Sequence, residues 1–215
     1  MPNDAALIDY YARRAKEYER IYDKPERQDD LARLKVLFQN AFAGREVLEI
    51  ACGTGFWTEP VSTTAKSITA TDINDEVLEI ARAKRYGCTV HFQKADAFNP
   101  SVIGKRFNGG MAAAWWSHLR RSDIGGFLRR FHRQFSAGAR IAFMDNRFVA
   151  GSNTPINRTD EDGNTYQLRT LANGERYEVL KNFPDEHEVR EAVGEVVEFS
   201  WTSLPYYWFA TYTLP

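Results

Sequence analysis

The sequence predicts an α/β fold of the doubly wound kind, and three observations predict it. Apolar, strand-like segments alternate with amphipathic helical ones through most of the chain. The first of those strands runs straight into a turn with two glycines one residue apart, Gly53 and Gly55. The last two strand-like segments, Val196 to Trp201 and Tyr206 to Tyr212, are joined by a connection too short for a parallel crossover, so they form an antiparallel pair.

Each element has its own signal. Residues 4–40 read as helical, with Tyr10, Tyr11, Tyr18 and Tyr22 set among many charges. Val47 to Ile50 is an apolar run, and an amphipathic segment follows the glycine turn. Ser67 to Asp72 and Thr89 to Lys94 read as the second and third strands, and Phe107 to Ala114 as the fourth. Asn74 to Tyr86 reads as a helix, with Val77, Leu78 and Ala81 on one face and Asp75 and Glu76 near its start. Asp123 to Phe135 reads as another, its apolar face built from Ile124, Phe127, Leu128, Phe131 and Phe135. Gly138 is read as its C-cap, leading into a fifth strand, Ile141 to Asp145. Arg147 to Asn164 reads as a long loop. Tyr166 to Leu171 and Arg176 to Lys181 flank Asn173-Gly174, a strong hairpin signal. Asp185 to Val193 reads as a short helix. The chain thus divides into an N-terminal helical segment, residues 1–40, and a single domain, residues 41–215.

Composition narrows the class. A chain of 215 residues with 43% hydrophobic and 27% charged residues builds one sizeable core. A formal net charge of -1 offers no broad basic field for nucleic acid or anionic membrane. Two cysteines give no disulfide framework and suit a reducing compartment. No run reaches the length of a membrane span, and residues 1–11 lack the apolar core of a signal peptide, so a cytoplasmic protein is expected.

The glycine turn carries the chemistry. Gly53 and Gly55 remove Cβ where the chain turns sharply and where a ligand approaches the backbone. A dinucleotide site requires a third small residue, for close helix packing beneath a pyrophosphate; here that position is Thr58, after the bulky Phe56 and Trp57. Glu49, two residues before the turn, would repel a pyrophosphate but helps hold a cation, directly or through water. The pattern Glu49-Ile50-Ala51-Cys52-Gly53-Thr54-Gly55 resembles the first motif of the class I S-adenosylmethionine-dependent methyltransferases, of the small-molecule type, with Ala51 in place of a glycine. That resemblance covers roughly residues 8–145 and implies a Rossmann-like, seven-stranded sheet with an antiparallel last strand, helices on both faces and an N-terminal helical lid.

It also implies roles. Asp72, 17 residues after Gly55, ends the second strand where a carboxylate accepts from ribose hydroxyls, with Ile73 beside it. Asp96 follows the third strand, where the family carries an acid toward the adenine amino group, and the Ala97 N–H faces the ring. Taken singly, each acid reads equally as a helix cap or turn former; in register behind the turn, the two favour cofactor contact. Tyr11 of the lid, Trp57 and Ala114 complete the expected cofactor wall, and Cys52 is read as a small buried filler.

The acceptor pocket is expected beyond the carboxyl ends of the strands, from Tyr18, Trp115, Trp116, Arg147 and Tyr206, with one tryptophan of the pair in the core and the other facing the site. That aromatic lining suggests a small, flat acceptor. Where an acceptor must lose a proton, His118 is the candidate base, an alternative being a histidine that hydrogen-bonds a loop. Asp145 is a second catalytic candidate, to position an amine or hydroxyl; His91, His132 and His187 have weaker claims. No metal is expected. Ala114-Trp115-Trp116-Ser117 departs from the Asp/Asn-Pro-Pro-aromatic motif of the family's DNA amino-methylating members. Two rival readings are a nicotinamide-dependent oxidoreductase, opposed by Thr58 and Glu49, and a non-catalytic cofactor-binding domain, opposed by acids at three strand ends.

Overall fold

The computed structural model describes residues 5–100 and 106–215, so the first four residues of the N-terminal segment lie outside the described residues. Helix α1 (Ala5–Arg14) passes into 3-10 turns over Ala15–Tyr22 and Pro25–Arg27, and α2 (Gln28–Phe42) follows. The segment is therefore not one continuous helix. Pro25 accounts for the break before it: the residue preceding a proline is driven out of helical geometry, and Lys24 sits at φ -63, ψ 119.

Then come β1 (Glu46–Ile50), α3 (Thr58–Ser62), β2 (Ser67–Asp72), α4 (Asp75–Arg82), β3 (Thr89–Lys94), β4 (Phe107–Ala113), α5 (Ile124–His132) and β5 (Phe135–Asn146). An insertion holds β6 (Arg158–Thr159), β7 (Thr165–Thr170) and β8 (Arg176–Leu180). Helix α6 (Glu186–Val193), β9 (Val197–Ser203) and β10 (Tyr207–Thr213) complete the chain.

The main sheet has seven strands in the order β3-β2-β1-β4-β5-β10-β9. β1 to β5 pair in parallel, and β10 runs antiparallel to both β5 and β9. Period-2 patterning distributes β10 between two cores. Trp208, Ala210 and Tyr212 join Phe127, Phe131 and Phe143 on one face, and Tyr207 and Phe209 join Leu34, Phe38 and Phe42 on the other. With both faces covered, six of its seven residues are buried, Thr211 among them.

Three expectations need correction. Helix α4 stops at Arg82, short of Tyr86, because the chain then turns to bring Gly87 against α3; a Cβ on Gly87 would meet the Ser62 carbonyl at 2.8 Å. Gly138 does not cap α5, whose C-cap is Arg133; it lies inside β5 at φ +75, and its N–H donates to the Leu214 carbonyl. The hairpin forms, outside the main sheet. β6, β7 and β8 form a separate three-stranded sheet, and the loop expected over 147–164 contains β6. This small sheet packs on α1 through Tyr10, Leu171 and Val179. No helix of the described residues is long and apolar enough to cross a membrane.

Candidate functional site

The carboxyl ends of β1 and β2 are tied together by one side chain. Asp72 accepts from the Gly53 N–H through Oδ2 at 2.9 Å and from the Asn74 N–H through Oδ1 at 3.0 Å. Each carboxylate oxygen retains a further lone pair for a ligand hydroxyl. Asp72 is buried, which pushes its pKa up, while those backbone donors oppose the shift. Ala51 and Gly53 both take positive φ, at 50° and 55°. Gly53 has room: a Cβ there would have Tyr18 Cε1 as its nearest neighbour, at 3.9 Å.

A cavity opens on this turn. Gly53, Ala51, Asp72, Ile73, Asp96 and Ala97 line it, with Ala114, Trp115 and His118 from beyond β4 and Tyr11 and Tyr18 from the N-terminal segment. Asp96 is set by its own turn, Oδ1 accepting from the Phe98 N–H at 2.8 Å. Most of the remaining wall is apolar, with Val77 and Phe98 in it, and Asn74, Arg120 and Asp123 add polar groups. Acids at two strand ends and a glycine turn in a largely apolar slot suit a nucleoside whose ribose and base offer donors.

Ala114, like Ala51, sits at positive φ, 56°. An L-residue there costs about 1–2 kcal/mol, and such strain gathers at functional sites. Ala114→Gly is therefore expected to stabilise the protein by about 0.5–1 kcal/mol, after the larger chain entropy of glycine is set against the relief. For a chain of this size that corresponds to roughly 1–4 °C in Tm by scanning calorimetry. A lower Tm would show that the local conformation holds no strain.

Several residues expected in the cofactor wall stand behind it. Glu49 is 1% exposed, and its Oε2 accepts from the Thr58 hydroxyl at 2.7 Å. Burial pushes its pKa up to about 8, with the Asp72 charge adding to the effect. It underpins the turn and does not line the cavity. Gly55 does not line it either: a Cβ there would lie 3.2 Å from Ala81 Cβ, so its small size lets α4 approach. Trp57 is buried, its indole N–H donating to the Tyr22 hydroxyl at 3.1 Å.

The expected acceptor residues divide in the same way. Trp116 is a core residue, 5.0 Å from the Phe143 ring and edge-on to Trp208, while Trp115 faces the first cavity. Arg147 donates to the Leu204 carbonyl at 2.7 Å, and Tyr206 lies under the Arg27 guanidinium; neither lines this cavity or the one beside it. Asp145 is fully buried. Its carboxyl accepts from Lys181 at 2.9 Å and from the Ser117 N–H at 2.9 Å. Burial works to raise its pKa, but Lys181 and His118 together hold it below the usual range. It supports Lys181 from beneath. His118 is engaged at both nitrogens, with Nδ1 2.7 Å from the Leu180 carbonyl and Nε2 2.9 Å from the Tyr11 hydroxyl. The carbonyl bond requires the proton on Nδ1, which leaves Nε2 to accept from Tyr11. Burial pulls its pKa down to about 3, and the Lys181 cation reinforces this.

A second cavity of about 440 Å³ adjoins the first. Tyr11, Tyr18, Ala114 and His118 line both. Its far walls come from the 3-10 segments and the insertion: Arg14, Lys24, Arg27, Ser152, Gln167, Arg169 and Lys181. Sequence reasoning missed all of these. The available signal was the size of the insertion between β5 and β9, whose chain leaves from a carboxyl strand end. Among the described residues no group of three His, Cys, Asp or Glu side chains is arranged to hold a metal.

A family model described as methyltransferase domain matches residues 47–138. No curated protein matches the sequence. Among solved structures, the chain is similar to DhpI in its SAH complex, with 26% identity over 98% of this chain and 97% of that one and a TM-score of 0.76. DhpI in a SAM-HEP complex gives 24% identity over 97% and 96%, with a TM-score of 0.77. Magnesium protoporphyrin IX methyltransferase from Synechocystis PCC 6803, with bound SAH, shares the fold at 14% identity over 99% and 100%, with a TM-score of 0.65.

Proposed function

The chain is a class I S-adenosylmethionine-dependent methyltransferase, and from that premise we propose that the first cavity holds the cofactor while a small-molecule acceptor enters from the second. The observation that carries this reading is that Asp72 and Asp96, from the ends of β2 and β3, line one cavity together with the Gly53 turn. When bound, S-adenosylmethionine supplies a methyl group already activated on a sulfonium. Asp72 accepts from the ribose hydroxyls, Asp96 faces the adenine amino group with the Ala97 N–H beside it, and Gly53 lets the backbone approach the ligand. Tyr11, Tyr18, Ala114 and His118 surround the meeting point of the two cavities, so the acceptor is aligned there.

Calorimetric titration of the purified protein with S-adenosylmethionine, S-adenosylhomocysteine and a nicotinamide dinucleotide tests the reading. The first two are expected to bind and the third not. Asp72→Ala is expected to weaken S-adenosylmethionine at least tenfold, since charged acceptors for hydroxyl donors contribute about 1.5–3 kcal/mol. Unchanged affinity in a folded Asp72→Ala variant would remove Asp72 from the site, and binding of the dinucleotide alone would overturn the assignment of the cavity.

A further inference from the structure

The second cavity concentrates positive charge on a chain whose formal net charge is -1. Arg14, Lys24, Arg27, Arg169 and Lys181 all line it. Among the described residues one carboxylate lines it, Glu17, and Arg20 faces that at 3.7 Å. Lys181 is neutralised from behind by Asp145. The other four cations make no ion pair with a carboxylate among the described residues.

Their partners are neutral. Lys24 and Arg27 both donate to Ser152, and Arg27 lies over the rings of Tyr206 and Tyr207. Arg14 donates to the Tyr10 hydroxyl at 2.9 Å, and Arg169 to Gln167 Oε1 at 2.8 Å. Arg27 is only 5% exposed. A buried guanidinium without a counter-charge is costly, and four cations converging on one space repel one another. An anionic ligand in the cavity relieves both costs, and guanidinium groups suit planar, paired contacts to oxyanions.

Resting on the methyltransferase reading above, we propose that the acceptor is a small molecule carrying an oxyanion (a carboxylate, sulfonate or phosphate group), that this cationic wall holds it, and that the methyl is placed on one of its charged oxygens. The chemistry at the meeting point of the two cavities agrees. Both nitrogens of His118 are engaged within the protein, so a proton has no ready destination there. An ionised oxygen needs none. The methyl carbon–sulfur bond breaks with its electron pair left on sulfur, giving a neutral thioether. An oxygen lone pair forms the new oxygen–methyl bond. The acceptor loses one negative charge and no proton moves. The aromatic, flat acceptor suggested by Trp115, Trp116 and Tyr206 gives way to this one, because Trp116 is in the core and neither Trp115 nor Tyr206 lines the second cavity.

The test uses the protein saturated with S-adenosylhomocysteine for binding, and with S-adenosylmethionine for turnover. Short alkyl carboxylates, sulfonates and phosphates are compared with size-matched amides, amines and alcohols by calorimetry and by mass spectrometry of the product. Binding and methyl-ester formation confined to an anionic series is the expected result. Arg169→Gln should weaken that acceptor at least tenfold while S-adenosylmethionine affinity stays within twofold, which also reports that the variant is folded; Arg169→Lys should recover part of the loss. Inorganic phosphate and sulfate serve as probes that need no acceptor identity, and at matched ionic strength at least one should raise Tm in the wild type and not in Arg169→Gln. Turnover of uncharged or cationic acceptors alone, methylation at nitrogen, carbon or sulfur, no effect of Arg169→Gln, or no response to either ion overturns the proposal. Failure of the wild type to bind S-adenosylmethionine at all would instead remove the methyltransferase reading beneath it, so the two failures are told apart by the first titration.

Discussion

Gly53→Val is expected to lower S-adenosylmethionine affinity by at least 100-fold. Two effects combine. Gly53 sits at φ 55, where a β-branched residue is a true outlier, so the turn must distort or the chain must pay the conformational penalty. Gly53 also lines the cavity in which the cofactor lies in the proposed site, so a bulky side chain there competes with the ligand for space. The β-carbon itself meets nothing closer than Tyr18 Cε1 at 3.9 Å, so it displaces no core atom. Distortion of the turn also moves the Gly53 N–H away from Asp72, and so disturbs the ribose acceptor. Gly53→Ala is the control. Ala51, two residues away, shows that alanine is tolerated at nearly the same φ here, so Gly53→Ala should fold normally and lose far less affinity. Calorimetry with thermal unfolding of both variants separates the effects. Wild-type affinity in a folded Gly53→Val variant would mean that the turn does not touch the ligand.

How much of this was legible in the sequence depends on the range of the interactions. Strands β2 and β3 begin and end where their patterns placed them, because alternation and β-branched residues act locally. The antiparallel end of the sheet followed from chain length alone. Asp72, Asp96 and Gly53, read together from the sequence, line one cavity, because a strand end followed by a turn is a local signal. The errors lie where tertiary packing decides. Glu49 and Asp145 were expected to reach ligands, yet each is buried and bonded to a hydroxyl or an ammonium group, and whether a strand-end acid points in or out depends on what covers it. Gly55 reads as a ligand glycine until Ala81 is seen against it. The cationic wall was invisible for a stronger reason. Arg27 and Ser152 meet across 125 residues, and no periodicity of a 3-10 turn or a hairpin records that the insertion folds back over the lid.

The pairing of His118 with Tyr11 leads to the second large effect. His118→Ala and Tyr11→Phe are each expected to lower kcat by about 10- to 100-fold, with little change in S-adenosylmethionine affinity. Tyr11 lines both cavities at their junction, and its hydroxyl is held by His118 Nε2, so either substitution frees the ring that frames the acceptor. Loss of alignment on that scale costs about 10²-fold without any loss of binding energy to the cofactor. Because the two residues act as one unit, the double variant should lose little more than either single one, and a double-mutant cycle reads that directly. The pH profile separates this positioning role from a base. Burial holds His118 at about 3, so the ring is neutral, and Nε2 remains an acceptor, throughout pH 5–9. Protonation begins only as pH falls toward 3, where Nε2 would become a donor and release Tyr11. The wild-type kcat should therefore be flat across pH 5–9, and the profile of His118→Ala should have the same shape at a lower level. An acidic limb near the ordinary histidine range that disappears in His118→Ala would show instead that His118 takes a proton during turnover, and the acceptor would then be one that has a proton to lose.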